Sequence, residues 1–310
     1  MTYIKDLITA GGHFEGPLLV KTCDKGVASN GSEYLNVNFQ DVTGTLNGKK
    51  WSVEAGDLDL IKAGNIINVS GNVFQYRNHP QLKIDQVNKA DENEYDPTDF
   101  YLSCPVKDEE LFKEVGEMIE LIEDEDIKLL TKTIIKDNEE KYMTYPAAVS
   151  VHHAYRCGIV YHSLSICKNA LDVCKNYPQL NRDYMIAGSL VHDIGKTREM
   201  NGIMASSYTF EGNLLGHISI GASIILETGE KLGTPKNKLT ILAHMILSHH
   251  GKPEYGSAVV PQTTEAYVLH MLDDLDSKMN ILDNALNSIE VGEFTQRMPY
   301  MDGKAFLKTK

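Results

Sequence analysis

Two different hydrophobic patterns divide the chain. From about Phe14 to Val87, short alternating or β-branched runs are separated by Gly, Asn and Asp, as in EYLNVNFQD and NIINVSGNVFQY. Such runs are typical of short strands, and five of them predict a small antiparallel barrel. From Val106 onward, apolar residues recur at helical spacing. This second pattern predicts an almost wholly helical region.

Several helices are predicted in the second region. Between Val106 and Asn138 acidic residues alternate with apolar ones, and we interpret this charge run as a solvated helix face. Further helical patterns cover Ser150 to Tyr177, Asn181 to Ile194, Asn213 to Leu232, Lys236 to His250 and Thr263 to Leu286. Thr209, Glu211 and Gly212 precede the third of these helices and are expected to form its N-terminal cap.

The stretch between the two regions loses its periodicity. Between Lys89 and Pro105 the sequence KADENEYDPTDFYLSCP is bracketed by prolines, which is typical of a linker. We therefore predict a β-barrel domain over residues 1–90, a linker over 91–106 and a helical domain over 107–310. The predicted fold class is α+β and multi-domain, with a small N-terminal antiparallel β-barrel followed by an all-α helical bundle.

The strand-like runs resemble the OB-fold, a five-stranded barrel that often binds oligonucleotides. Six aromatic residues are candidates for stacking on bases, namely Phe14, Tyr34, Phe39, Trp51, Phe74 and Tyr76. Five basic residues are candidates for backbone contacts, namely Lys21, Lys49, Lys50, Arg77 and Lys83. Trp51 and Tyr76 are the preferred stacking residues. The alternative for most of the aromatic residues is burial in the barrel core.

Composition narrows the classes of partner and compartment. The net charge of −13 argues against a broad basic face for nucleic acid but leaves open a narrow groove or metal-assisted phosphate binding. No apolar run of about 18 residues and no secretory signal occurs, so we expect no membrane partner and a cytoplasmic location. The five cysteines form no CxxC pair, which favours reduced and packed thiols.

Histidines and aspartates in the helical region suggest a metal site. The candidate ligands lie inside or at the ends of predicted helices and are His162, His192, Asp193, His217, His249, His250 and Asp273. Asp193 follows the apolar run MIAGSLV, where burial of an unpaired carboxylate is costly unless a cation compensates it. Any one of these histidines alone could be an ordinary core or surface residue. Together, ligands without thiolates suit Mn²⁺, Fe²⁺, Co²⁺, Ni²⁺ or Zn²⁺.

The order of these ligands resembles that of the HD-domain superfamily of metal-dependent phosphohydrolases, and VHDIGK at 191–196 carries the signature. With the barrel ahead, and with HHAYRCGIVYH, NRDYMIAGSLVHDIGK, YTFEGNLLGHI, SHHGKPEYGS and DDLDSKM in this order, nearly the whole chain resembles the YhaM-type 3′-to-5′ exoribonucleases. There is one departure from the expected pattern. Tyr161 precedes His162, where the resemblance predicts an acidic residue.

The resemblance implies a metal-dependent hydrolase that releases nucleoside 5′-monophosphates from single-stranded RNA, with single-stranded DNA also open. Mn²⁺ is the expected ion, and two ions about 3.5 to 4 Å apart would activate water and stabilise negative charge. Asp193 would bridge the two ions. The first ion would be held by His162, His192, Asp193 and Asp273, and the second by His217, His249 and His250.

Further residues are assigned to the substrate. Lys196 would neutralise the scissile phosphate, with a solvated lysine as the alternative. His153 and Arg156 are expected on the same helix as His162, where they would grip the terminal nucleotide. Trp51 and Tyr76 on the barrel would hold the body of the strand, because two weak sites on one strand raise the effective affinity. Self-association is left open.

Two other functions stay open at this stage. One is an HD enzyme that hydrolyses a small nucleotide, cyclic or free, while the barrel serves assembly. The other is a non-catalytic single-strand-binding protein that keeps the helical half only as a scaffold. The complete ligand series would have no purpose in that second case, and bound metal would count against it.

Overall fold

The computed structural model describes residues 2–28, 31–54, 56–77, 79–91, 93–101, 104–148, 155–202 and 207–310. The chain divides into two compact units, Met1–Ser103 and Cys104–Lys310. Each unit has its own cluster of buried apolar side chains.

The first unit is a closed five-stranded barrel. Its elements are α1 Ile4–Ala10, β1 Gly12–Val27, β2 Glu33–Asp41, β3 Gly44–Trp51, α2 Asp57–Leu60, β4 Ile66–Tyr76 and β5 His79–Lys89. The strands close in the order β1-β2-β3-β5-β4, with β4 paired back to β1. All neighbours are antiparallel except β3 and β5, which run parallel. The barrel is an OB-fold, as the sequence pattern predicted, although its sheet is mixed rather than purely antiparallel.

Strand alternation separates the barrel core from its outer surface. Along β2, Leu35, Val37 and Phe39 are buried, whereas Asn36 and Asn38 between them are partly exposed. A one-residue shift in register would place the apolar set in water, so the pattern fixes the pairing of β2 with β3. That register sets Tyr34 opposite Trp51, Asn36 opposite Lys49 and Asn38 opposite Asn47.

Two segments outside the strands pack on the barrel. Helix α1, which the sequence pattern did not predict, buries Ile4 and Leu7, and the Ile4 amide donates to Asp41 Oδ2 at 2.5 Å. A short 3₁₀ helix, Pro97–Phe100, lies within the stretch predicted as a linker. Phe100 is fully buried there, and its carbonyl accepts a hydrogen bond from Gln40 at 3.3 Å. Compact barrel structure therefore continues beyond residue 90.

The second unit is helical. Its helices are α3 Asp108–Glu120, α4 Glu125–Asp137, α5 Glu139–Thr144, α6 Gly158–Asn176, α7 Arg182–Val191, α8 Lys196–Glu199, α9 Phe210–Leu232, α10 Lys236–Ser248 and α11 Thr264–Leu286. Helix α7 is central, because it packs against α3, α4, α6, α10 and α11. Every residue from Met185 to Val191 is buried. No helix in the described parts of the chain is long and apolar enough to cross a membrane.

The acidic stretch after the linker forms two helices, α3 and α4, rather than one continuous solvated face. Asp124 caps the N-terminus of α4 after the break between the two helices. Its Oδ1 accepts hydrogen bonds from the amides of Asp126 and Ile127 at 3.0 and 3.1 Å. Each helix also buries an apolar side, with Leu111 in α3 and Leu130 in α4 each about 1% exposed or less. The charges cover only the opposite sides of the helices.

The chain ends in a small irregular hairpin. Isolated bridges join Phe294 to Leu307 and Met298 to Lys304. A short 3₁₀ helix spans Pro299–Met301 at the turn between them. This hairpin was not predicted from the sequence, and it brings Tyr300 to the cavity described below.

Candidate functional site

Helix α7 delivers His192 and Asp193 into the interior of the helical unit. Asn181 caps the helix by accepting from the amides of Asp183 and Tyr184 at 3.0 and 3.2 Å. The helix then runs through buried residues, so the side chains that follow it are also enclosed, with His192 at 0% and Asp193 at 2% exposure. Gly195 lets α9 approach closely, because a Cβ there would lie 2.0 Å from the His217 carbonyl oxygen.

One group of ligands lies where α6, the end of α7 and α11 meet. His162 Nε2 is 3.0 Å from Asp273 Oδ1 and 3.9 Å from Asp193 Oδ2. His192 Nε2 is 3.3 Å from Asp193 Oδ2 and 3.9 Å from Asp273 Oδ1. Two imidazoles and two carboxylates therefore direct nitrogen and oxygen atoms toward one small volume, as a divalent cation requires.

The outward-facing nitrogens of these histidines are held by neighbouring groups. His162 Nδ1 lies 2.6 Å from Asp276 Oδ2, and Ser165 Oγ donates to the other oxygen of Asp276. His192 Nδ1 lies 2.9 Å from the Ser189 carbonyl, to which it donates. Hydrogen bonding of one ring nitrogen to a carboxylate or carbonyl orients the other nitrogen for metal binding. Asp276 supplies the carboxylate beside His162, whereas Tyr161 packs edge-on against Tyr155.

A second group contains His217, His249 and His250, which carry nitrogens within 4.8 Å of one another. Each ring is again held at Nδ1. The partners are Glu199 Oε1 for His217 at 3.1 Å, the Ile246 carbonyl for His249 at 2.7 Å and the Tyr255 carbonyl for His250 at 2.8 Å. Gly216, with φ of 67°, kinks α9 immediately before His217. Thr209 caps this helix through the Gly212 amide at 2.9 Å, as predicted.

Asp193 lies between the two groups. Its Oδ1 is 3.6 Å from His217 Nε2 and 3.8 Å from His249 Nε2, while its Oδ2 faces the first group. The buried atoms His192 Nε2, Asp193 Oδ1, His217 Nε2 and His249 Nε2 have no hydrogen-bond partner among the described residues. Leaving such atoms unpaired in a protein interior is costly. Divalent cations would satisfy all four, so the donor set fits the metal that the sequence predicted.

The ionisable side chains of the site have shifted pKa values. Burial opposes ionisation of Asp193, but Lys196 and His192 outweigh it and hold the pKa of this carboxyl well below its ordinary value. Burial lowers the pKa of His162, but the hydrogen bonds that its ring donates to Asp273 and Asp276 outweigh burial and raise the pKa to about 9. Burial lowers the pKa of His249 and of His250, which keeps both rings neutral and ready to act as ligands.

A cavity of about 590 Å³ opens onto the ligands, which is within the range of small-molecule sites. Its lining includes Lys196, Glu199, His217, His250 and Asp273. Lys196 is only 8% exposed, and its Nζ donates to Asp193 Oδ2 at 2.6 Å. The predicted phosphate-neutralising lysine is therefore at the cavity wall, where its first partner is Asp193.

The two residues predicted to grip the terminal nucleotide have different outcomes. His153 lies outside the described residues. Arg156 precedes α6, which begins at Gly158 and not near residue 150, so it is not on the helix of His162. Its guanidinium donates both terminal nitrogens to Asp108, at 2.7 and 2.5 Å, and it does not line the cavity. The placement of Arg156 on the helix of His162 is therefore wrong, whereas its role at the terminal nucleotide stays a prediction.

Four of the six aromatic residues predicted to stack on bases lie on the outer surface of the barrel. Trp51 is 39% exposed, and its ring centroid lies 4.7 Å from that of Tyr34. Lys49 Nζ lies 4.6 Å from the Tyr34 centroid. Tyr76 is 47% exposed beside Arg77, and Phe74 is 42% exposed. The other candidates are enclosed: Phe14 and Phe39 belong to the core.

Lys50 is also withdrawn from the surface. It is 5% exposed, its Nζ donates to the Asp85 carbonyl at 3.1 Å, and the same atom is 3.7 Å from Asp57 Oδ2. The prediction that Lys50 contacts nucleic acid is therefore wrong, because strand alternation turns it inward between the partly exposed Lys49 and the exposed Trp51.

Two residues of the metal centre were not identified from the sequence. Asp276 follows Asp273 by three residues on α11, and this spacing, which places both on one helix face, could have indicated it. Glu199 also holds the His217 amide, at 2.9 Å. Its role depends on the approach of α8 to α9 in space, for which the sequence carries no local signal.

Comparisons with known proteins agree with this arrangement. The sequence model of the HD domain matches residues 159–278. A 3′-5′ exoribonuclease YhaM from Geobacillus sp. (strain WCH70) is 39% identical over 292 residues, which is 94% of this chain and 90% of that protein.

Solved structures are also similar to parts of this chain. The match to a replication protein A heterotrimer bound to ssDNA covers 27% of this chain and 62% of the matched chain at 17% identity, with a TM-score of 0.23. The match to the second OB-fold domain of replication protein A from Methanococcus maripaludis covers 26% of this chain and 85% of that domain's chain at 22% identity, with a TM-score of 0.21. The near full-length match to a curated relative, together with the HD domain, shows that the chain belongs to the YhaM family of 3′-5′ exoribonucleases.

Proposed function

We propose that this protein is a metal-dependent exoribonuclease that shortens single-stranded RNA from its 3′ end and releases nucleoside 5′-monophosphates. One observation carries the proposal: unpartnered buried atoms of His192, Asp193, His217 and His249 converge at the end of a cavity. The polymer and the direction of attack follow from the name of the relative that is 39% identical.

Two divalent ions would be held by two sets of residues. The first set is His162, His192, Asp193 and Asp273, the second is His217, His249 and His250, and Asp193 would bridge them. Bound ions would lower the pKa of water and stabilise negative charge on the phosphate oxygens. We propose Mn²⁺ because imidazole and carboxylate ligands without thiolates accommodate it.

The protein groups around the ions orient the histidine ligands and neutralise charge on the phosphate. Asp276 and Glu199 fix the His162 and His217 rings through hydrogen bonds at 2.6 and 3.1 Å. Lys196 donates one N–H to Asp193 and has two more donors at the wall of the cavity, where they can bind a non-bridging oxygen of the scissile phosphate. Enclosure of these groups limits screening by water, which strengthens each interaction with the phosphate.

The barrel would bind the body of the strand. Tyr34 and Trp51 offer a pair of adjacent rings for bases, and Lys49 beside them offers charge for the backbone. Tyr76 with Arg77 is a second candidate position. Because a base of any identity has a π face, this surface suits a nuclease that degrades RNA without regard to sequence.

A labelled-end assay tests the proposal. Single-stranded RNA carrying a 5′ label is incubated with Mn²⁺ and either wild type, Asp193→Ala or Asp172→Asn, and the products are separated on a sequencing gel. Asp172 is an exposed partner of Lys175 on α6 and serves as the matched control. We expect wild type and the control to give a ladder that shortens from the 3′ end, and Asp193→Ala to leave the RNA intact. Intact RNA with wild type, together with turnover of a cyclic nucleotide or a free deoxynucleoside triphosphate, would overturn the proposal.

A further inference from the structure

Three tyrosines with large exposed fractions line the cavity that leads to the candidate metal centre. Tyr208, Tyr255 and Tyr300 are 46%, 62% and 64% exposed. They come from three separate segments, before α9, after α10 and in the C-terminal hairpin. Single exposed aromatic residues are common, but convergence of several on one cavity indicates a binding surface.

The backbone of each tyrosine is fixed although its ring is exposed. The Tyr255 carbonyl accepts from His250 Nδ1 at 2.8 Å, which ties this residue directly to a proposed metal ligand. Tyr208 pairs with Met200, and the next amide donates to the Glu199 carbonyl at 2.9 Å. Tyr300 lies in the 3₁₀ helix that the Met298–Lys304 bridge closes. Because the backbone of each tyrosine is already ordered, its ring loses little conformational entropy when it stacks on a planar ligand.

The tyrosine hydroxyls are also available. Among the described residues, none of the three hydroxyls has a hydrogen-bond partner. By contrast, the hydroxyl of the buried Tyr142 donates to the Leu190 carbonyl at 2.9 Å. Hydrogen bonds of the hydroxyls to the described residues therefore do not explain the position of the three rings. Their faces and hydroxyls remain open to a ligand.

Charged side chains of both signs surround the rings, with Lys196 and Lys278 as the basic residues of the cavity lining. The cavity carboxylates are engaged: Asp274 accepts from Lys278 at 2.6 Å, Asp273 contacts His162, and Glu199 contacts His217. Lys252 Nζ lies 5.6 Å from the Tyr255 ring centroid, within the range of a cation–π contact. Aromatic faces combined with basic side chains are the means by which proteins bind single-stranded nucleic acid without reading its sequence.

We propose that Tyr208, Tyr255 and Tyr300 form a stacking site for the nucleobases at the 3′ end of the strand, with Tyr255 contacting the terminal base. This inference rests on the proposed exonuclease function and adds the group that the cavity recognises. Tyr255 is assigned to the terminal base because its own carbonyl orients His250 beside the scissile position. The site selects for the presence of a base and not for its identity.

A double-mutant cycle between Tyr255 and the terminal base tests this inference. Wild type and Tyr255→Ala are each assayed on two 5′-labelled RNAs that differ only in the last residue, which carries a base or is abasic. Loss of one stacked base corresponds to about a 5- to 150-fold effect. We expect the kcat/KM of wild type to fall by such a factor on the abasic RNA, and Tyr255→Ala to cleave both RNAs equally slowly.

Two matched variants define the contact. Tyr255→Phe keeps the ring and is expected to discriminate as wild type does. Tyr177→Ala removes a tyrosine that is 55% exposed but does not line this cavity, and it is expected to behave as wild type. Tyr300→Ala provides a second cavity variant and is expected to weaken cleavage of the base-carrying RNA.

The outcomes separate the two proposals. Equal loss by Tyr255→Ala on both RNAs, or no loss on either, would overturn the stacking inference and leave the exonuclease proposal intact. Failure of wild type to shorten either RNA would overturn the exonuclease function itself, and the stacking site with it.

Discussion

The barrel and the helical unit treat buried ionisable groups in opposite ways. In the barrel, Asp41 accepts from the amides of Ile4 and Thr43, and buried Lys50 and Asp57 lie 3.7 Å apart. In the helical unit, buried atoms of three histidines and one aspartate face one another without hydrogen-bond partners among the described residues. Both units contain apolar cores of ordinary composition.

This difference indicates where each function resides. Buried charges that have partners stabilise or specify a fold, whereas buried ligand atoms without partners cost free energy unless a cation binds them. The barrel places its candidate nucleic-acid groups at the surface, as with Trp51 at 39% exposure. Substitutions in the barrel should therefore affect substrate binding, and substitutions in the helical centre should affect the chemical step.

The largest effect is expected from Asp193→Asn, which removes the charge shared by both ligand groups. Loss of several kcal/mol of charge stabilisation corresponds to a fall in kcat on the order of 10³-fold. Single-turnover kinetics with labelled RNA would measure it, beside Asp172→Asn as control. A variant that retains a rate within about tenfold of wild type would contradict the separation of roles between the two units.

A smaller effect is expected from Asp276→Asn and Glu199→Gln, which weaken the groups that hold His162 and His217. Loss of such supporting hydrogen bonds typically lowers metal affinity by about 10- to 100-fold. Titration of metal-free protein with Mn²⁺ would measure the change. Asp274→Asn is the matched control, because Asp274 pairs with Lys278 and contacts neither histidine ring. Equal affinity in all three variants would show that these carboxylates do not support ligands.

Trp51→Ala tests the proposed role of the barrel in binding RNA. Removal of one stacking ring should weaken binding of single-stranded RNA by about tenfold, within the range of about 1 to 3 kcal/mol for base stacking. Hydrolysis of a small chromogenic phosphodiester should not change, since it needs only the helical centre. Fluorescence anisotropy and absorbance assays measure the two properties, with Trp51→Phe as control. Loss of the small-substrate activity would refute independence of the two surfaces.

The smallest effect concerns pH. The pKa of His162 is raised to about 9, so the metal-free ring is protonated at neutral pH, and metal binding must release that proton. Mn²⁺ affinity should therefore fall as pH decreases, by about threefold for each half unit below 9. Calorimetry at two pH values half a unit apart near neutrality would measure the shift. Affinity that is constant with pH would indicate that His162 is not a ligand.

The sequence predicted much of this organisation because local patterns encode it. Strand alternation indicated the barrel, and helical spacing indicated α7, whose buried run leads to Asp193. The inward turn of Lys50 follows from the same alternation that exposes Trp51, so it could have been predicted. The pairing of Arg156 with Asp108 joins residues 48 apart and depends on tertiary packing.

Other features had no local signal at all. The short segment of Ile4 to Ala10 forms a helix because it packs on the barrel and its first amide meets Asp41. Tyr300 reaches the cavity through an irregular hairpin that has neither helical nor strand periodicity. Long-range packing decides both cases, and propensity alone carries little information there.

The central claim is that the helical unit holds divalent metal through these buried side chains. Equilibrium dialysis of metal-free protein against Mn²⁺, followed by elemental analysis, tests it most directly. The account predicts two ions per chain for wild type, one for a His217→Ala, His250→Ala double variant and a large loss for Asp193→Asn. No bound ion in wild type, or the same number in all three proteins, would contradict the claim.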